Sequence, residues 1–269
     1  MKLNGIQKLF ALYLFFLVIY WVILYQSHET TSFYNLLYSF LFSLIPLVGG
    51  IVAMMRSRLW GGLNSAVGKA VFFIGLGLFL WGSGSMVWSY YNFFVGEPAP
   101  YPSLADIGFA PSIFFYGLGA IFLSKATGAK YGLRNKLAKV FVIVAPFVLL
   151  GISYHLLITV ARGGVLIPPE ESLLKTFFDI VYPLGDFVGL TISVIISGLS
   201  FKYFGGRYLF DIVSILLGLA VMTFADAVFS YTTTVQTYYN GNWGDLMLTI
   251  GLFLLTFGVL GFSTSLKEN

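Results

Sequence analysis

Thirteen of the fifteen lysine and arginine residues fall in alternate gaps between eight apolar segments. Each segment is close to the roughly 20 residues that a helix needs to cross a bilayer core. Only 10% of residues are charged, against about 25% in a soluble domain, and the mean hydropathy is +0.88. No water-soluble fold hides that much apolar surface. The expected fold class is therefore all-α: a polytopic membrane helical bundle with eight transmembrane helices. The spans fall at about 8–26, 33–54, 69–94, 104–124, 137–161, 173–201, 208–233 and 245–265, in a single integral membrane domain over 1–269.

The basic residues also orient it. Lys2, Lys8, Arg56, Arg58, Lys69, Lys125, Lys130, Arg134, Lys136, Lys139, Lys202, Arg207 and Lys267 share one side, and only Arg162 and Lys175 lie on the other. By the positive-inside rule both termini are expected in the cytoplasm of a multi-pass cell-membrane protein. The same loops explain the pI near 9.1, so no nucleic-acid partner is implied. The first span resembles a signal peptide, but it runs on to Tyr25 with no small-x-small cleavage site and is read as retained. No loop is long enough for a soluble catalytic module, and the last span is followed directly by Ser265-Leu-Lys-Glu-Asn269.

The outer loops carry Glu29, Glu97, Glu170 and Glu171, with Tyr90, Tyr91, Tyr101, Tyr231, Tyr238, Tyr239 and Trp243 around them. An interfacial aromatic belt accounts for these rings; lining the mouth of a pocket is the alternative. The third and seventh spans read alike, Leu76-Gly-Leu-Phe-Leu-Trp-Gly-Ser-Gly-Ser-Met-Val-Trp-Ser-Tyr90 against Leu217-Gly-Leu-Ala-Val-Met-Thr-Phe-Ala-Asp-Ala-Val-Phe-Ser-Tyr231. Each precedes a span that opens with an acid, Asp106 or Asp245. A parallel duplication of four-helix halves fits this pattern, as does chance similarity between Leu/Gly/Ser-rich helices.

Acids inside a bilayer need a partner or a function. Asp186, in Tyr182-Pro-Leu-Gly-Asp186, falls near mid-membrane, and Asp226 falls near the outer end of the seventh span. Asp179, Tyr182 and Asp186 share one helix face. Pro183 is a candidate helix break that frees backbone carbonyls beside Asp186. His155 sits at a similar outer level. Asp186, Asp226 and Asp106, supported by Asp179, His155 and Tyr182, are the candidate ligand-binding residues. Helix packing is the competing role for Asp186 and Asp226, and helix capping for Asp106 and Asp245. Asp211 is read as a cap or a partner of Arg207. The pairs Gly77/Gly84 and Gly251/Gly258, each spaced by seven, predict close helix–helix approach.

Several chemistries are excluded. With no cysteine and only His28 and His155, neither a disulfide nor a three-histidine zinc centre can form. No lysine lies mid-span to carry a retinal Schiff base, and no Walker or Gly-x-Ser-x-Gly motif is present. No catalytic residue, metal or cofactor is expected, and the chain is not expected to be an enzyme.

Three strings point to a family. Tyr101-Pro-Ser-Leu-Ala-Asp106, Tyr182-Pro-Leu-Gly-Asp186 and Phe224-Ala-Asp-Ala-Val-Phe-Ser-Tyr231 resemble the multi-span N-terminal membrane sensor modules found ahead of diguanylate cyclase, phosphodiesterase and histidine kinase domains. Those modules end in a Tyr-x-x-Gly-x-x-x-Asp loop, matched here to Tyr239-Asn-Gly241 leading to Asp245. The likeness covers about residues 70–265. No output domain follows, so the resemblance implies signalling through a separate membrane or cytoplasmic partner. The expected function is a sensor- or receptor-like protein that binds a small molecule or lipid in a polar pocket open to the outer side. A small transporter or proton-coupled carrier, and a structural or assembly subunit of a membrane complex, are the alternatives.

Overall fold

The computed structural model describes residues 3–95, 100–126 and 208–262 without interruption. Between the last two stretches it describes 136, 139, 140, 143, 144, 147, 148, 151, 154–160, 163–165, 172–175, 177, 178, 181, 182, 184, 185, 187–189 and 191. Among the described residues the fold is all-helical, with no strand. Six helices are long and apolar enough to cross a membrane: α1 (Gly5–Ser27), α2 (Phe33–Ser57), α3 (Ala66–Tyr90), α4 (Asp106–Ala126), α5 (Leu209–Thr234) and α6 (Trp243–Gly261). They match the first four and last two expected spans. The fifth and sixth expected spans are described only at scattered positions, and Asp179, Pro183 and Asp186 lie outside the described residues.

The pattern on α1 shows why these helices need lipid. Gln7, Phe10, Leu17, Trp21 and Leu24 are buried along one stripe at helical spacing. Leu9, Leu12, Phe15, Phe16, Ile19, Val22 and Ile23 cover the rest, every one at least 40% exposed. A helix that is apolar all round, with only one stripe against protein, belongs in a bilayer. The chain is a multi-pass membrane protein.

Packing is set by glycine. A Cβ on Gly77 would stand 2.7 Å from the Tyr116 ring, and one on Gly84 would stand 2.6 Å from the Ala105 carbonyl, so both face α4. On α6, Gly251 meets the Met222 backbone and Gly258 meets the Asp211 carbonyl, both on α5. The expected close approaches are thus present. Where lipid tails compete equally for apolar surface, such backbone-to-backbone fit supplies much of the association energy. The α6 helix is the hub: the most buried of the six, it packs against α5, α2, α1 and α3.

The two ends of the bundle differ. Lys8, Arg56, Arg58, Lys69 and Lys125 gather at one, hereafter the basic end; Lys69 and Lys125 both lie over the Phe122 ring there. At this end Asn4 and Gln7 cap α1 reciprocally, the Gln7 N–H donating to Asn4 Oδ1 (2.9 Å) and the Asn4 N–H to Gln7 Oε1 (3.2 Å). Their amide donors then reach α6: Asn4 Nδ2 donates to the Leu260 carbonyl (2.9 Å) and Gln7 Nε2 to that of Phe257 (3.1 Å). Arg56 Nη1 also donates to Leu260 (2.6 Å), and Trp60 Nε1 to Phe262 (3.0 Å). The last carbonyls of a helix have no intrahelical partner; here side chains from three segments supply them. Gln7 Nε2 also donates to Asp211 (3.0 Å). Gln7 is thus a partner of Asp211, while Arg207 lies outside the described residues.

Candidate functional site

The polar groups at the opposite end form two clusters. The first is built on Asp106, a buried carboxylate in the first turn of α4. One of its oxygens accepts the Ser103 backbone N–H (2.6 Å), which fastens the entering loop to the helix start. The other accepts the Tyr182 hydroxyl at 2.5 Å. That bond joins two residues 76 apart in sequence and sets Tyr182 against α4, which Gly185 also meets: a Cβ there would stand 2.6 Å from Ile113. Asp226, half-buried on α5, lies near enough to act electrostatically on the Tyr182 and Tyr116 hydroxyls. The Tyr116 hydroxyl is buried and makes no hydrogen bond among the described residues.

Three of the six residues expected to bind ligand, Asp106, Tyr182 and Asp226, are therefore brought together from α4, the sixth-span segment and α5. His155 is exposed on a π-helical turn (His155–Val160) that packs against α5. Asp179 and Asp186, with the Pro183 break, lie outside the described residues. Buried polar atoms with no protein partner usually mark water or ligand; Tyr116 supplies one at this cluster.

The second cluster centres on Asp245, which is 1% exposed. Asn242 caps α6 by accepting the Asp245 N–H (3.1 Å). The Asp245 carboxylate reaches back to the Gly241 N–H (2.6 Å) and accepts the Tyr238 hydroxyl at 3.2 Å. Burial first, and then Asp245, push the Tyr238 hydroxyl well above the ordinary range of a phenol. Trp88 Nε1 and the Tyr238 hydroxyl both donate to Asn240 Oδ1 (3.4 Å each), and Asn35 Nδ2 donates to the Asn240 carbonyl (3.0 Å). Trp21 Nε1 donates to the Gly241 carbonyl (2.9 Å). The loop 238–242 is thus tied to α1, α2 and α3 at once.

The two aspartates repeat one construction. Each sits in the first turn of a helix and accepts one backbone N–H from the loop before it and one tyrosine hydroxyl. Capping, the competing role read from sequence, accounts for one oxygen of each acid; the tyrosine takes the other. The Asn35, Tyr238 and Asn240 set was not singled out from sequence as a site. Its signal lay in the spacing: Tyr238, not Tyr239, stands three residues before Gly241 and seven before Asp245.

A cavity of about 330 Å³ lies at the basic end among Met54, Met55, Ser57, Arg58, Gly62, Leu63 and Phe72. Another, of about 140 Å³, opens at the opposite end beside the Asn240 loop. Among the described residues no group of three or more His, Asp or Glu side chains is placed to hold a metal ion. Comparison with protein-family models, with curated proteins and with solved structures returns no match.

Proposed function

We propose that this chain is a receptor-like cell-membrane protein that binds a small molecule or lipid at the end opposite its basic loops and passes the bound state to a separate partner. The observation that carries the reading is the convergence of Asp106 and Asp226 on Tyr182, with Asp226 also acting on the Tyr116 hydroxyl, which has no hydrogen-bond partner among the described residues. The Thr191 and Thr256 hydroxyls and Asn242 Nδ2 likewise make no hydrogen bond among the described residues, so it is the pairing with a nearby acid that singles out Tyr116. By the positive-inside rule the basic end faces the cytoplasm, so the site opens outward. Asp186, four residues after Tyr182, joins it in this reading, and Pro183 lets the sixth span adopt two packings. Ligand then selects one of them.

The full architecture in this reading is eight spans, both termini inside, with two parallel halves. The placement of Asp106 and Asp245, each in the first turn of its helix and accepting a loop N–H, supports the duplication, as do Trp88 and Phe229, equivalent positions whose rings stand 6.1 Å apart. Resemblance to the sensor modules fits the same picture, with the output carried by another protein.

The test is thermal melting of the detergent-purified protein against a metabolite and lipid panel, repeated with Asp106→Asn, Asp226→Asn and Asp186→Asn. A ligand at a hundredfold excess over its dissociation constant stabilises by about 2.7 kcal/mol. A hit lost in these variants and kept in Glu170→Gln is the expected result. Ligand stabilisation that all three aspartate variants retain would refute the site.

A further inference from the structure

The cavity of about 140 Å³ at the same end is lined by Leu24, Tyr25, His28, Glu29, Thr30, Asn35, Tyr239 and Gly241, none of which belongs to the Asp106 cluster. Its floor is fixed. Asn35 spends its side-chain oxygen on Ser32 (2.6 Å) and its amide on the Asn240 carbonyl (3.0 Å), and the Gly241 carbonyl accepts Trp21 Nε1. The rim is held by aromatic packing: Tyr25 stacks on Trp21 at 5.1 Å and makes a T-shaped contact with Trp243 at 5.5 Å. The side chains of Glu29, Thr30, Tyr25 and Tyr239 make no hydrogen bond among the described residues, so their oxygens remain available. Glu29 supplies an anionic oxygen, and among the described residues no lysine or arginine lines the space. Burial raises the Tyr239 hydroxyl above its ordinary value, and nearby Tyr25 and Asp245 raise it further.

We infer that this cleft binds a small ammonium group, with the Glu29 carboxylate as counter-ion and the Tyr239 ring as its aromatic wall. Tyrosine rings attract ammonium ions through their electron-rich faces, and a carboxylate adds a charge-assisted hydrogen bond. Size restricts the ligand: drug-sized molecules fill about 300 Å³ or more, so a headgroup or amine of a few non-hydrogen atoms is the class that fits. Both a free amine and the ethanolamine headgroup of a membrane lipid present that chemistry. The inference stands on its own residues and does not depend on the Asp106 site.

The test uses the full chain in nanodiscs of phosphatidylglycerol or phosphatidylethanolamine, titrated with ethanolamine or methylammonium chloride against sodium chloride at equal ionic strength. Melting temperature and tryptophan fluorescence, to which Trp21 and Trp243 contribute, are the readouts. In phosphatidylglycerol a saturable upward shift with ammonium and none with sodium is expected. Glu29→Gln weakens it about tenfold, the size of one lost charge-assisted contact. Asp106→Asn leaves it unchanged. If phosphatidylethanolamine abolishes the response, the lipid headgroup is the occupant; if both discs respond, the free amine is. Equal responses to sodium and ammonium, or full binding in Glu29→Gln, would overturn the inference. Glu29 is exposed, and the unliganded melting point of the variant confirms that it folds. Tyr239→Leu provides a second loss-of-binding variant.

Discussion

Tyr238 and Tyr182 each give a hydroxyl to a buried aspartate, and the consequences differ. Tyr238 lies in the loop before α6, where burial and Asp245 hold its proton far more tightly than water does. Its folded pKa is above its unfolded value of about 10. The stability linked to it is therefore fully present below pH 10 and is lost as pH rises beyond 10, by up to about 1.4 kcal/mol per pH unit. Tyr238→Phe removes this contribution: melting curves between pH 9 and 11, roughly the range around the free phenol value, should fall less steeply than those of the parent. An identical slope would contradict that burial. Tyr182→Phe takes the hydroxyl from Asp106 and should cost about 1–3 kcal/mol, the usual penalty for an unmatched buried acceptor, read as a lower melting temperature. Sequence pointed to Asp106, Tyr182 and Asp226 because acids in apolar spans are costly enough to stand out. It did not point to Asn35 or Asn240, since amides carry no charge and their partners lie in distant loops.

Helix–helix contact in this bundle depends on what is missing from the side chains. A methyl on Gly258 would meet the Asp211 carbonyl at 2.5 Å, so Gly258→Val forces α5 and α6 apart. Overpacking of this kind costs about 1–3 kcal/mol. A methyl on Gly5 would meet nothing within 4 Å, and Gly5→Ala should leave the melting temperature unchanged or raise it slightly through helix propensity. Equal losses at both positions would show that the close approach is not what holds the pair. Gln7 makes the other element-scale prediction. It caps α1, reaches the Phe257 carbonyl and donates to Asp211, so Gln7→Leu should loosen α1 from α6 and speed proteolysis at the N-terminal end. The i,i+7 glycine spacing was visible in sequence because it is periodic within one helix. The Asn4–Gln7 clamp was not, because its acceptors lie about 250 residues away.

At the scale of the molecule, the six described spans follow from hydropathy and capping alone, with ends within a few residues of the structure. The hub was only partly legible: α6 carries four glycines and two threonines where the lipid-exposed α1 has Gly5 alone, but which neighbours those small residues would meet did not follow from sequence. The central position of α6 ties the two ends together: its first turn carries Asp245 and its last carbonyls are held by α1, α2 and Trp60. A receptor needs its polar site open on one side only, whereas a carrier needs access from each side in turn. The chain has no cysteine, so a single introduced thiol is an unambiguous reporter. The most direct measurement is labelling of Tyr182→Cys by a membrane-impermeant maleimide in right-side-out and everted vesicles, with Leu63→Cys at the basic end as the inverse control. Labelling of Tyr182→Cys from the outer face alone, and of Leu63→Cys from the inner face alone, is predicted. Labelling of Tyr182→Cys from the inner face, alone or together with the outer, would contradict an outward-opening receptor site.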